Sequence, residues 1–312
     1  MRRVLVLLKR SAYDLYVARH RDPAFVNGSA EKTKVVENLL DRHRVHESTV
    51  QKCKDVLANM SLSWDFLLRD ELHSPIRNVD LVVTVGGDGT LLQASHYLDD
   101  SIPVLGVNSD PTKTDEVQEQ QMEEFDATRS RGYFCAATSE YFEQVLGKVI
   151  SGKLQPTTLQ RISTTIDGTL FSTPALNDVL LAHPNPAAVS RCTFSVVNQQ
   201  TKSGSLIHSR SSGLRVCTAA GSTAATLSAG GFAMPLESKE LQYMLREPIL
   251  PHPKQKNLMH GFVGSTEAIQ VTWGCRQGSI YFDGAHVSAP IKFGTVVTIS
   301  ASGPPVKVFL EQ

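Results

Sequence analysis

Ten residues in the first third of the chain, Leu81-Val-Val-Thr-Val-Gly-Gly-Asp-Gly-Thr90, restrict its fold more than any other stretch. Leu81 to Val85 is an uninterrupted apolar and β-branched run, the signature of a strand covered on both faces. Two glycines end it. Thr90 to Leu98 follows with Leu91, Ala94 and Leu98 on one helical face, so the order is buried strand, glycine turn, helix. Val4 to Leu8 and Ile102 to Val107 are further short apolar runs. Between the first of these and Leu81, the polar stretch Glu31 to Met60 carries Val35, Leu39, Val56 and Leu57 at helical intervals and reads as a crossover helix. Buried strands joined by helical crossovers specify a parallel α/β sheet.

From Gln155 the pattern becomes strand-like. Thr157 to Ile166 runs into Asp167-Gly168, a two-residue hairpin signal. Cys192 to Val197, Leu214 to Thr218, Ala268 to Trp273, Ser279 to Phe282 and Val296 to Ser300 read as strands, with Gly278, Asp283-Gly284 and Gly303-Pro304 as turns. A chain of 312 residues accommodates two domains, with a boundary near Lys153: an α/β domain over 1–153 and a mainly β domain over 154–312. Asp110 to Arg131, rich in Gln and Glu, reads as a surface helix or a loop leaving the sheet's carboxyl edge.

Charge and cysteines narrow the function classes. Lys+Arg and Asp+Glu are 31 each, so no net field steers the chain onto nucleic acid or an acidic membrane surface. Five scattered cysteines without a C-x-x-C pair fit a reducing compartment, and Val4 to Leu8 is too short for a signal-peptide core; a cytoplasmic protein is expected. His43 and His46 lie three residues apart, but no third ligand is near them in sequence, so no metal-ligating residues are assigned.

Gly86-Gly-Asp-Gly-Thr90 delivers a buried strand to a helix N-terminus, where outward N–H groups and the helix dipole favour phosphate. Glycines let a pyrophosphate approach the backbone, and Thr90 can cap the helix or donate to phosphate. Asp88 is out of place in a plain anion cradle. A carboxylate there suits phosphoryl transfer, by coordinating a metal or accepting the proton of an attacking hydroxyl, and Asp88 is read as the catalytic base. The competing reading makes it a cap for Leu91 or Leu92. No P-loop, G-x-G-x-x-G or G-x-S-x-G motif occurs.

A second cluster follows. Ser211 to Thr218 reads as a strand, and Ala219 to Gly231 as a small-residue turn and helix that can admit a ligand or merely a close helix contact. Asn177-Asp178 offers an amide and a carboxylate for sugar hydroxyls, or a simple turn.

GGDGT at Gly86 to Thr90, ALND at Ala175 to Asp178 and GSTAATLSAGG at Gly221 to Gly231 together resemble the NAD kinase family. Pro103 to Asn108 and Phe282-Asp-Gly284 resemble further signatures of that family, so the likeness spans nearly the whole chain. The resemblance implies a Rossmann-like parallel-sheet domain, then a mainly β domain, with the nucleotide cleft between them. It also implies ATP-dependent phosphorylation of the adenosine ribose 2′-hydroxyl of NADH or NAD+, with Mg²⁺ or another divalent metal accompanying ATP, in a homodimer. By residue, it makes Asp88 the proton acceptor, Gly86, Gly87, Gly89 and Thr90 the phosphate turn, and Asn177 and Asp178 the ribose ligands. Arg210, Thr223, Ala224 and Ser228 fall at dinucleotide-binding positions, as does Ser212, where the family commonly has Asp. Ala225 replaces a common Tyr. The combination RSSGLR with GSTAAT is similar to the plant-type NADH-kinase branch. With the charge at 212 removed, the neutral reduced nicotinamide is expected to be accepted over the cationic oxidised ring. The competing functions are a related GGDG-type lipid or sugar-phosphate kinase, and a non-catalytic pyridine-nucleotide sensor.

Overall fold

The computed structural model describes residues 3–20, 34–111, 132–198, 204–249 and 259–310. The chain divides into two compact units, Met1–Thr157 with Lys307–Gln312, and Thr158–Val306.

The first unit is a parallel sheet of β1 (Arg3–Leu8), β2 (Ser63–Leu68), β3 (Leu81–Gly86), β4 (Val104–Asn108) and β5 (Cys135–Thr138), in the order β5-β4-β3-β1-β2. Helices α1 (Ala12–His20), α2 (Lys34–Asn59), α3 (Asp88–Ser95) and α4 (Phe142–Ile150) accompany it. All six residues of β3 are buried, as the unbroken apolar run requires of a central strand. On α2, Val50, Cys53 and Leu57 share a face and enter the same core as Val6, Val83 and Leu105; on α4, Phe142, Leu146 and Val149 do likewise. Fully burying one such Leu contributes about 1.5–3 kcal/mol, so these faces anchor the crossovers.

Three features depart from expectation. The helix after the glycine turn begins at Asp88 rather than Thr90 and closes at Ser95. Strand β17 (Val296–Phe309) runs straight through Gly303-Pro304, read above as a turn. Fully buried Arg161 explains this: its guanidinium donates to the carbonyls of Pro304 and Pro305, and a Cβ on Gly303 would lie 2.7 Å from the Arg161 carbonyl oxygen. Only glycine permits that approach. The end of β17 then pairs Val308 with Val104 and Phe309 with Leu105, so Lys307–Gln312, assigned above to the β domain, belongs to the first unit.

The second unit stacks two sheets on one core. One is fully antiparallel, ordered β13 (His260–Val263), β12 (Leu241–Arg246), β11 (Gly213–Cys217), β8 (Asp178–Ala182), β15 (Gly278–Phe282), β16 (Val287–Ile291). The other runs β10 (Ile207–Ser211), β9 (Ser190–Asn198), β14 (Glu267–Trp273), β17, with β6 (Thr157–Ile166) on β17 and β7 (Thr169–Leu170) on β6. Asp167 (φ 49°) and Gly168 (φ 80°) make the expected left-handed hairpin turn between β6 and β7. Phe194, Leu214, Val216, Ile269, Trp273 and Phe282 fill the core. The stretch expected as one strand from Ser211 to Thr218 is broken at Ser212, whose N–H leaves the ladder for the Arg246 carbonyl (2.8 Å). No helix among the described residues is long and apolar enough to cross a membrane, and all five cysteines are free. Residues 112–131, the polar segment discussed above, lie outside the described residues.

Candidate active site

In the first unit, the glycine turn sits at the carboxyl edge of the parallel sheet, where open α/β sheets place ligands. Gly86 pairs with Asn108 across β3 and β4, and its carbonyl accepts the Ser109 N–H (2.9 Å). A Cβ on Gly86 would stand 2.2 Å from Thr90 Oγ1, whereas one on Gly89 would meet nothing within 4 Å. Gly86 is therefore demanded by packing against buried Thr90, and Gly89 leaves the helix start uncovered.

Asp88 does not cap its own helix. It is the first residue of α3 after Gly87, and its carboxylate spans to the entry of β5: Oδ2 accepts the Tyr133 N–H (3.0 Å) and Oδ1 the Phe134 N–H (2.9 Å). The capping interpretation is thereby replaced. Burial raises the Asp88 pKa, and the two amide donors oppose that rise in part. A carboxylate so held has lost water but keeps lone pairs for one more proton donor. Both anchors belong to Tyr133 and Phe134, which no local spacing connects to Asp88.

In the second unit, Asn177 and Asp178 lead into β8. Their backbone is clamped by Asp283, whose carboxylate accepts the N–H groups of Leu176 (2.8 Å), Asn177 (2.6 Å) and Asp178 (3.0 Å). Asp283, read from sequence as half of a turn, thus positions the whole ALND segment. Asp178 pairs with Arg215 at 3.3 Å, both side chains mostly buried. Burial raises the Asp178 pKa; the Arg215 charge opposes this and Asp283 adds to it. The Asn177 Oδ1 atom is buried without a hydrogen-bond partner, an expensive arrangement that a ligand donor would satisfy.

The small-residue segment packs onto the same pair. A Cβ on Gly221 would fall 2.2 Å from the Asn177 carbonyl oxygen, and the Thr218 N–H donates to that oxygen (2.9 Å). Thr223 and Ser228 are exposed and Ala224 half-buried around a 3₁₀ turn (Ala220–Thr223) and one-turn helix α5 (Ala225–Ser228). Arg210 stands apart from them on β10, in the other sheet, directly opposite Arg191 of β9.

Ser212 corrects the charge argument. Its hydroxyl donates to the carboxylate of Glu247, which the positive φ (44°) of that residue turns back toward it. A negative charge is present beside position 212 after all, carried by a residue 35 positions away in sequence. Aromatic groups also occur in this unit: His260 sits between Phe232 and Phe262 at ring separations of 5.1 and 5.5 Å.

His43, judged above to have no third ligand, is joined in space by Asp14 and Glu47. Ser11 and Asp14 exchange capping bonds at the start of α1, the Ser11 Oγ taking the Asp14 N–H (3.0 Å), and the same hydroxyl lies 2.9 Å from His43 Nδ1. Helix capping accounts for the Asp14 and His43 members of the cluster.

Residues 1–111 match the family model of the ATP-NAD kinase N-terminal domain. A probable NADH kinase of Oryza sativa subsp. japonica is 52% identical over 279 residues, covering 89% of this chain and 86% of the rice protein. The chain belongs to the NAD kinase family. Within it, the likeness extends to the NADH kinase of Arabidopsis thaliana, 44% identical over 99% of this chain and 96% of that protein. Two solved family members share the fold: an Archaeoglobus fulgidus NAD kinase in complex with ATP and yeast NADH kinase complexed with NADH. The first has a TM-score of 0.67 at 19% identity, covering 99% of this chain and 94% of the other. The second has a TM-score of 0.67 at 14% identity, covering 100% and 84%.

Proposed function

We propose that this kinase transfers the γ-phosphoryl group of ATP to the 2′-hydroxyl of the adenosine ribose of NADH, and also of NAD+. Its acceptor assignment is supported by the identity with plant NADH kinases over most of the chain. The observation that carries the chemistry is the half-buried Asp88 carboxylate, fixed by the Tyr133 and Phe134 amides beside a glycine turn. A base of raised pKa takes a hydroxyl proton more readily than an ordinary aspartate. The glycine turn and the start of α3 would receive the donor phosphates, with Mg²⁺ entering as part of MgATP. Asn177 would accept a hydrogen bond from a ribose hydroxyl at its unpartnered Oδ1, and Asp178, oriented by Arg215, would take another. Thr223, Ala224 and Ser228 would border the dinucleotide, with Arg210 and Ser212 contributing from their own strand ends. The first unit thus serves the phosphoryl donor and supplies the base, and the second unit serves the dinucleotide. The five free thiols support action in the cytosol, and the outer side of edge strand β16 offers a surface for a homodimer. A coupled assay of NADPH formation from NADH and MgATP tests the proposal; no turnover by the purified chain would refute it.

A further inference from the structure

Lys9 is absent from every motif discussed so far, yet it occupies the same sheet edge. It directly follows β1; its N–H donates to the Val85 carbonyl (3.3 Å), one residue before the glycine turn. Its side-chain stem lies 3.4 Å from where a Gly86 Cβ would be. The Lys9 carbonyl is held by His46 Nε2 (3.0 Å), while His46 Nδ1 meets the Ser109 hydroxyl (2.8 Å). A carbonyl can only accept, so Nε2 carries the proton and Nδ1 accepts from Ser109. Burial and the Lys9 charge lower the His46 pKa, which keeps the ring neutral in that role. The backbone of Lys9 is thereby tied to β3, α2 and the end of β4.

The ammonium group itself is half-buried and makes no hydrogen bond or ion pair within the described residues. Its charged neighbours are mostly of the same sign: Arg42 and Arg69 repel it, and Asp110 attracts it. Asp110 is shared, since Arg42 Nε lies 4.0 Å from its Oδ2. Arg10, next in the chain, is already paired with Asp70 (2.8 Å) and points its charge there. Lys9 and Arg42 share one carboxylate, Arg69 adds like charge beside Lys9, and the Lys9 ammonium is partly stripped of water and unpaired among the described residues, an arrangement that folding alone does not favour. It becomes favourable when a polyanion enters.

We infer that Lys9, together with Arg42 and Arg69, forms a binding site for the polyphosphate chain of the nucleoside triphosphate donor at the edge of the glycine turn. This rests on the kinase reading for the identity of the donor, but not for the polyphosphate chemistry. The test uses the full chain and two probes. Inorganic tripolyphosphate should raise the melting temperature of the wild type, and Lys9→Met should abolish that shift while NADH still stabilises the variant. In steady-state assays, Lys9→Met should raise the KM for ATP at least about tenfold and leave that for NADH within about twofold, the loss expected for one charge-assisted phosphate contact. An unchanged tripolyphosphate shift, or an unchanged KM for ATP, overturns the inference. If Lys9→Met does not fold, Arg69→Gln, at a half-exposed position, must raise the KM for ATP by about threefold or more, and no change overturns it equally. A wild type that binds tripolyphosphate through Lys9 but forms no NADPH would instead refute the kinase reading and leave the site standing.

Discussion

Replacing Asp88 by Asn separates the chemical role of the carboxylate from its structural one. The carboxylate accepts two backbone N–H groups, from Tyr133 and Phe134. An amide can accept only one and sets its NH₂ against the other donor, a loss of about 1–3 kcal/mol. Part of this is returned, because the ionised form bears the burial cost that raises its pKa and the neutral amide does not. A net loss of about 1–2 kcal/mol lowers the melting temperature by roughly 2–8 °C and leaves the chain folded at 25 °C. Removing a general base costs about 10²–10⁴ in kcat, or about 3–5 kcal/mol of barrier, clearly more than the structural term. The assay is NADPH formation at saturating NADH and MgATP, with KM values and thermal melts on the same preparation. We expect kcat to fall by at least about 100-fold with both KM values within about threefold. A folded Asp88→Asn protein retaining kcat within about threefold of wild type would refute the assignment of the base.

Other expectations follow from the same geometry. Asp88 accepts a proton only when ionised, so kcat/KM should fall as pH drops through its pKa; burial places that limb above the ordinary aspartate range. A pH–rate profile whose acid limb sits at the ordinary value contradicts this. Glu247→Gln removes the carboxylate held by Ser212 and should increase the ratio of NADH to NAD+ efficiency by about two- to fivefold, a modest effect because Glu247 is exposed. Competition between the two dinucleotides measures it, and an unchanged ratio removes Glu247 from specificity. Asp283→Ala leaves three backbone N–H groups at Leu176, Asn177 and Asp178 without their acceptor. Urea unfolding should show a loss of about 3–5 kcal/mol; less than about 1 kcal/mol would mean the clamp is dispensable.

The local and the long-range parts of this protein were legible to different degrees. Unbroken apolar runs identified β1, β3 and β4, because burial on both faces writes itself into consecutive residues. The glycine turn and the Asp167-Gly168 hairpin were equally readable, since left-handed or tightly packed backbone requires particular residue types on the spot. The same logic failed at Gly303-Pro304. There the glycine serves a close approach to Arg161, 142 residues earlier in number, and the prolines serve as carbonyl acceptors rather than turn formers.

The sequence alone determined which groups are available: a carboxylate among glycines, an amide–acid pair, a small-residue segment and their family. Only the tertiary structure decided what each group meets. Asp88 is held by amides 45 and 46 residues away, Asn177 and Asp178 by Asp283, and Ser212 by Glu247. It also left Lys9, among the described residues, as an unpaired cation beside the turn. These pairings depend on chain crossovers and on desolvation within a packed interior, and neither quantity is written in the spacing of neighbouring residues.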